Sequence, residues 1–198
     1  MRKSRVRPWV TVGVVVLVVV ISGGIFMNAL RNSPGVLSTP SSSSKATPKK
    51  LFAETVRQTQ DIIDVAGGTW SNGTPTAINL IPWTNPPKNI FTVGGCGQSE
   101  LYRYTVRLYA PGVTDPDGAS LVMRKHWESL GFKVSQLGPE QADITHHRQL
   151  GVFLPDGAGL SFDVSTDGSG ITVQSACVNH TSDELYAAAL LAGTGHVS

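Results

Sequence analysis

Several features that usually reveal a protein's activity are missing from this chain of 198 residues. No motif for nucleophilic catalysis, metal binding or phosphate binding stands out from the background, and no internal repeat is visible. The chain has only two cysteines, and neither directly follows the apolar run near its N-terminus, which excludes the acylated cysteine anchor of a bacterial lipoprotein. The sequence therefore assigns no reaction, and its predictions concern topology, fold class, one covalent link and a general mode of action.

Acidic residues are missing from one part of the chain. Eight of the 16 basic residues lie within the first 50 residues, whereas all 14 acidic residues lie after them. The segment 51–198 therefore has eight basic and 14 acidic residues, and its net charge is −6. Because nucleic-acid affinity depends on Lys and Arg that neutralise phosphates, this acidic segment is not expected to bind nucleic acid.

The N-terminus contains a long uncharged stretch at residues 9–30. A helix of this length covers about 33 Å at 1.5 Å per residue, enough to cross a hydrocarbon core about 30 Å thick. Four basic residues precede the stretch, and basic residues stay on the cytoplasmic side of a membrane. We therefore predict a cytoplasmic tail at residues 1–8, a single transmembrane signal anchor at residues 9–30 and an extracytoplasmic C-terminal part in the cell envelope.

A cleaved signal peptide is the alternative interpretation of this stretch. Its apolar region should be about 7 to 15 residues long and should end at a small-x-small cleavage site. Here the run is longer, and the nearest candidate site has Met27 where a small residue is needed. An uncleaved anchor is therefore favoured.

Residues 31–50 consist mainly of Ser, Pro, Thr and Lys without apolar periodicity, which is typical of a disordered linker. The remaining segment, residues 51–198, is long enough to bury a core of its own. We predict that it forms one extracytoplasmic domain.

This domain is predicted to be α+β, with a mostly antiparallel sheet of about five strands packed against two helices and preceded by the single transmembrane helix. The spacing of Phe52, Val56 and Ile63 predicts a helix that ends at Gly67. A second helix is predicted after Asp115 from an apolar stripe of Ala119, Val122, Met123, Trp127 and Leu130. Alternating polarity and turn residues predict strands at residues 102–109, 132–137, 144–154, 160–165 and 171–177. Residues 76–82 and 90–93 are candidates for pairing at a sheet edge, and residues 183–192 for a short final helix.

Both cysteines, Cys96 and Cys177, lie in the part predicted to be extracytoplasmic, where oxidising conditions favour disulfides. A bond between them would join the ends of two predicted strands. The alternative is a nucleophilic Cys96, but a catalytic cysteine needs a positioned histidine and no known local signature surrounds this one. We therefore predict a Cys96–Cys177 disulfide.

The histidines are the other candidates for chemistry. His146 and His147 are adjacent, so on a strand they would face opposite sides and could not share a metal ion. His126 and His180 have no spacing that predicts a zinc site with either of them. No metal site, cofactor or catalytic residue is therefore predicted.

Trp70 and Trp83 are the candidate binding residues, because they lie in a Pro- and Gly-rich segment with Asn and Thr nearby. Exposed tryptophans beside amides suit sugar or peptide binding, and long ordered loops are often functional. The alternative, which is favoured, is that both rings are core residues, because tryptophan is highly buried on average.

The order of these features provides one resemblance over residues 52–178. It consists of the first helix, Trp70, Cys96, a strand, a helix that ends in Leu130-Gly131-Phe132, the pair His146-His147 and a Gly-rich hairpin that closes at Cys177. In this order the chain resembles small actinobacterial cell-envelope lipoproteins of the LppA type, although it has a transmembrane helix where they have an acylated cysteine. The resemblance implies a compact, disulfide-linked α+β envelope domain and transfers no functional residues.

Two classes of function remain open from the sequence. The first is a non-enzymatic binding module of the cell envelope, held at the membrane by one span, with an envelope protein or a wall glycan as its partner. The alternative is an envelope hydrolase whose active site the sequence does not reveal. A catalytic site should draw acids or histidines with perturbed pKa values into one cleft, so the placement of the histidines discriminates between the two.

Overall fold

The structure is a computed structural model, and it describes residues 44–74, 80–85, 87, 90–97, 100–138 and 146–193. The predicted cytoplasmic tail, the predicted anchor at residues 9–30 and most of the predicted linker lie outside the described residues. Among the residues it describes, no helix is both long and apolar enough to cross a membrane.

The described elements follow one another in the order α1 (Pro48–Ala66), β1 (Phe91–Gly95), β2 (Tyr102–Pro111), α2 (Pro116–Ser129), β3 (Val134–Gln136), β4 (Arg148–Phe153), β5 (Gly159–Val164), β6 (Gly168–Gln174) and α3 (Ser182–Gly193). The six strands form one sheet in the order β1-β2-β6-β5-β4-β3, and every neighbouring pair is antiparallel. The predicted α+β class with an antiparallel sheet is confirmed. The predicted counts of about five strands and two helices are too low, since the described part of the chain holds six strands and three helices.

All three helices pack on the same face of the sheet. α1 lies against β2 and β6, α2 against β3, β4 and β5, and α3 against β1 and β2. The strand residues that point toward the helices are apolar and buried, as period-2 alternation requires. They include Tyr104, Val106, Leu108, Leu150, Val152, Leu160, Phe162, Val164, Ile171 and Val173. The opposite face of the sheet has no helix against it within the described residues, and we call it the bare face.

Helix α1 begins three residues before the end of the predicted linker. The Thr47 hydroxyl caps it by accepting a hydrogen bond from the Lys50 backbone N–H, and Pro48 occupies the first turn, where its missing N–H costs nothing. The helix ends at Gly67, whose φ of 68° is a conformation that glycine adopts readily. Its buried side, which includes Phe52 and Ile62, faces the sheet.

Helix α2 begins as predicted, with the Asp115 carboxylate accepting a hydrogen bond from the Gly118 N–H at 2.9 Å. Met123 and Trp127 are fully buried, in agreement with the apolar stripe. The stripe is wrong at Val122 and Leu130, which are 55% and 49% exposed. The buried side of α2 is the row Pro116, Ser120, Met123 and Trp127, which faces the sheet, and Val122 and Leu130 lie to either side of it.

Two other local predictions differ from the structure. His146 and His147 precede β4 rather than lying on it, so the argument that they alternate across a strand is wrong. His146 has a φ of 51°, which is a left-handed conformation, so the extended backbone of β4 does not continue back through this residue. At the other sheet edge, the candidate segment 90–93 is confirmed, since β1 (Phe91–Gly95) pairs with β2. Of the candidate segment 76–82, residues 76–79 lie outside the described residues, and Pro82 pairs with Ser71, which itself pairs with Tyr109 of β2.

Candidate functional site

Trp70 is a core residue in the structure. It is 4% exposed, its indole N–H donates to the Gly67 carbonyl at 2.8 Å, and its ring lies 6.5 Å from that of Phe162. Helix α1 ends at Gly67, so this hydrogen bond fixes the chain as it leaves the helix. In this conformation the Trp70 ring is not accessible to a ligand, so for this residue the structure agrees with the core alternative.

Trp83 is only half-buried and lies beside a groove on the helical side of the domain. Its indole N–H donates to the Gln60 side-chain oxygen on α1 at 2.9 Å. The groove has a volume of about 500 Å³ and is lined by α1, by Asn85 and Pro87, and by Ala192 at the end of α3. Of the two predicted binding residues, Trp83 is therefore the one with partly accessible surface.

The two cysteines form the predicted disulfide, with Cα atoms 6.2 Å apart. The bond joins the end of β1 to the chain just after β6, and these two strands are the neighbours of β2. Both cysteines are buried, at 5% and 2% exposure. Because the sulfurs are bonded to each other, a nucleophilic Cys96 is not available in this state.

The described histidines lie beside four different carboxylates rather than in one cleft. His126 hydrogen-bonds Asp61 at 2.8 Å across α2 and α1, and His180 lies 3.3 Å from Glu184 on α3. His146 lies 4.0 Å from Asp117, and His147 lies 3.6 Å from Asp163. In the part of the chain that the structure describes, no three His, Cys, Asp or Glu residues come together as they would around a metal ion.

Two groupings among the described residues bring a hydroxyl, a carboxylate and an imidazole together: Thr181, Glu184 and His180 at the start of α3, and Ser161, Asp163 and His147 on the bare face of the sheet. The Ser161 hydroxyl donates to Asp163 Oδ2 at 3.0 Å, while His147 Nε2 lies 3.6 Å from Asp163 Oδ1. In a hydrolase triad the serine donates to the histidine, and the carboxylate lies behind it. Here the carboxylate lies between the other two groups, so this arrangement does not activate Ser161 as a nucleophile.

The bare face is mostly polar from β1 to β5, whereas Phe153 on β4 and the nearby Leu137 are apolar. The cross-strand register places Thr92, Thr105 and Gln174 in one row, and Arg107, Thr172 and Ser161 in the next. A third row contains Tyr109, Gly170, Asp163 and Gln149. On the β4 side, the Leu137 side chain covers Gly151. The contact is so close that a Cβ atom on residue 151 would lie 2.4 Å from Leu137 Cδ1. The β1–β2–β6 part of this face has no such cover among the described residues.

Two arginines on β2 dominate the charge of this part of the bare face. Arg103 and Arg107 lie at alternate positions with Thr105 between them, so all three point away from the helices. Arg107 is exposed, whereas Arg103 is only 9% exposed. Burial lowers the pKa of the Arg103 guanidinium, because it disfavours the charged form. No described carboxylate forms a salt bridge with either arginine.

Comparisons with known proteins add one structural likeness. No protein-family model matches the chain, and no curated protein sequence matches it. Among solved structures, the chain is similar to a DUF4853 family protein from Actinomyces odontolyticus, with 17% sequence identity over 69% of this chain and 71% of that chain, and a TM-score of 0.47.

The alternating polarity that predicts the strand at residues 102–109 does not mark Arg103 and Arg107 as a site. Arginines on the solvent side of a strand are usual, and the sequence does not show which of them lack a carboxylate partner or which are buried. The only signal available was the scarcity of acidic residues near this strand, where Glu100 is the one carboxylate between Asp64 and Asp115.

Proposed function

We propose that this protein is a membrane-anchored, extracytoplasmic binding module of the cell envelope that recognises a partner through the bare face of its sheet. The observation that carries this proposal is the placement of all three described helices on one face, which leaves the opposite face of the sheet without a helix among the described residues. Antiparallel sheets commonly keep one face solvated, so a solvated face alone does not indicate a binding site. On this face, however, two arginines have no carboxylate partner among the described residues. The uncharged stretch at residues 9–30 supplies the anchor in this proposal.

The binding role can be tested by site-specific photocrosslinking in cells. A photoreactive phenylalanine analogue at Thr172, in the middle of the bare face, is expected to crosslink to an envelope component. The matched position is Lys125, which is exposed on α2 on the helical side and should give no crosslink. Equal crosslinking from both positions, or none from Thr172, would contradict recognition through this face.

Trp83→Ala distinguishes the groove from the bare face. If the groove beside Trp83 carried recognition, Thr172 on the opposite face would give no crosslink in the wild type, and Trp83→Ala would lose capture of the envelope partner while the domain stayed folded. If the bare face carries recognition, the variant keeps the crosslink from Thr172. Hydrolysis of an envelope substrate that Ser161→Ala or His147→Ala abolishes would favour the alternative, an envelope hydrolase.

The topology is tested separately. Protease added to intact cells from which the outer wall has been removed is expected to digest the C-terminal domain, because residues 51–198 are proposed to lie outside the membrane. An epitope placed after Ser198 should then disappear without lysis. Protection of the epitope until the cells are lysed would contradict this orientation.

A further inference from the structure

We propose that Arg103 and Arg107 form the ligand-binding part of the bare face, and that the ligand is an extended acidic peptide segment lying along β2. This proposal rests on the proposed function, since it names the ligand chemistry of the same surface. It goes beyond that function by assigning two residues, a direction of binding and a class of partner.

The charge pairing of the arginines sets these two apart. Five arginines follow residue 51. Arg57 pairs with Glu54 at 2.6 Å, Arg148 with Asp117 at 2.7 Å and Arg124 with Glu128 at 4.0 Å. Arg103 and Arg107 have no such carboxylate among the described residues. The two unpaired arginines thus lie on one strand and point to one face, in a segment whose net charge is −6 and where carboxylates are plentiful.

Arg103 carries the argument furthest because it is nine-tenths buried. None of its nitrogens is among the fully buried, unpartnered polar atoms of the described residues, so the charged end of this mostly buried side chain stays accessible. Burial of most of the side chain raises the cost of leaving the charge unpaired, because buried charges are normally paired. Its cross-strand neighbour on β1 is Gly94, and no described atom lies within 4 Å of a Cβ built there. The space above Gly94 is therefore open among the described residues, and in this proposal a partner carboxylate approaches Arg103 over that glycine. Guanidinium binds carboxylate through two parallel hydrogen bonds, which makes arginine the usual residue at such sites.

The spacing of the two arginines favours an extended peptide. They are four residues apart on one strand, so their Cα atoms lie about 13 Å apart at 3.3 Å per residue. An extended peptide has the same rise per residue, so acidic side chains at positions i and i+4 match both guanidinium groups at once. The hydroxyls of Thr92, Thr105 and Thr172 lie between and beside them and can hydrogen-bond the rest of the segment.

The surroundings of the patch also favour an acidic ligand. The nearest carboxylate in the bare-face rows is Asp163, which lies two strands away from β2. Its oxygens are already engaged by Ser161 and His147. The patch is therefore a local positive surface on a domain that otherwise repels anions, and electrostatic complementarity of this kind selects partner and orientation.

The test uses the full chain in a mild, uncharged detergent and a short fluorescent peptide with Glu at every fourth position. We expect the peptide to bind, and the matched peptide with Gln in place of Glu not to bind. Arg107→Gln and Arg103→Lys are each expected to raise the Kd by about tenfold or more, because the first removes a charge and the second removes the bidentate geometry. Arg57→Gln is the matched control, since it removes an exposed arginine from the helical side, and its Kd should stay within about twofold of the wild type.

A gain-of-contact variant tests the geometry independently. Gly94→Glu places a carboxylate on β1 directly opposite Arg103, so it should compete with the peptide and raise the Kd as much as Arg103→Lys does. Thermal unfolding of each variant shows whether it is folded, and because Arg107 is exposed, Arg107→Gln decides the matter even if Arg103→Lys is unstable.

Several results would overturn the proposal. One is equal binding of the Glu peptide by the wild type and Arg107→Gln, and another is no binding of that peptide by the wild type. Binding of an acidic polysaccharide or of anionic vesicles without binding of the peptide would also overturn it, because the class of partner would then be wrong. If the peptide fails to bind while the crosslink from Thr172 persists, the proposed function stands without this ligand. If both are absent, the proposed function fails as well.

Discussion

Replacing both cysteines with alanine is expected to lower the free energy of unfolding by about 4.5 kcal/mol in the chain-entropy model. Cys96 and Cys177 are 81 residues apart, so their bond closes a long loop and strongly restricts the unfolded chain. This amount is a large part of the 5 to 15 kcal/mol that stabilises a typical domain. The measurement is urea unfolding of the detergent-solubilised chain, followed by near-ultraviolet circular dichroism.

The slope of the unfolding curve supplies the control for this prediction. Without the bond the unfolded chain is more expanded, so the dependence of the unfolding free energy on urea should become steeper as the midpoint falls. The wild type treated with a reductant should behave like the double variant. A double variant whose unfolding free energy stays within about 1 kcal/mol of the oxidised wild type would contradict the chain-entropy account.

Trp70→Ala is expected to destabilise the domain by about 3 to 5 kcal/mol, because it removes a ring that packs in the core and leaves a cavity. Trp70 is 4% exposed and packs in the cluster that contains Ile62, Val106 and Phe162. The same substitution would have little effect on stability if the ring were an exposed ligand contact. Thermal or urea unfolding of the purified variant measures the change.

Trp70→Phe separates packing from hydrogen bonding at this position. Phenylalanine keeps much of the packing but cannot donate to the Gly67 carbonyl, so we expect a loss of about 1 kcal/mol from the hydrogen bond and a smaller cavity term. Trp83→Ala should cost less than Trp70→Ala, because Trp83 is only half-buried. A larger loss for Trp83 than for Trp70 would contradict the assignment of Trp70 to the core.

The parts of the fold that the sequence predicted well are those in which one local pattern decides the outcome. Helix α1 follows from apolar spacing and a terminal glycine, and β2 follows from strict alternation between Tyr102 and Tyr109. The turns of the β4–β5–β6 meander follow from Pro-Asp-Gly and Thr-Asp-Gly, whose residues favour tight turns. In each case the side chains within one element contain the necessary information.

The parts that the sequence did not predict depend on contacts between distant elements. The exposure of Val122 and Leu130 is set by how α2 lies on β4 and β5, and an apolar stripe does not reveal which of its members the sheet covers. The sequence predicts strand β1 only as a candidate edge segment. Two of its five residues are glycines, so it shows little alternation of polar and apolar residues, and its place in the sheet depends on pairing with β2. The same reason explains why the arginine patch was missed: a missing carboxylate partner is a property of the folded surface.

The pairing of Ser44 with Val178 determines how the domain bears a mechanical load. The Ser44 N–H donates to the Cys177 carbonyl at 2.8 Å, so tension on the chain preceding Ser44 enters the domain directly at a disulfide-bonded residue. From there the covalent bond transmits it to β1, and the two hydrogen bonds between Val178 and Tyr102 transmit it to β2. A pull from the N-terminal side must therefore break the Ser44–Cys177 hydrogen bond before the tension reaches α1 through residues 45–47.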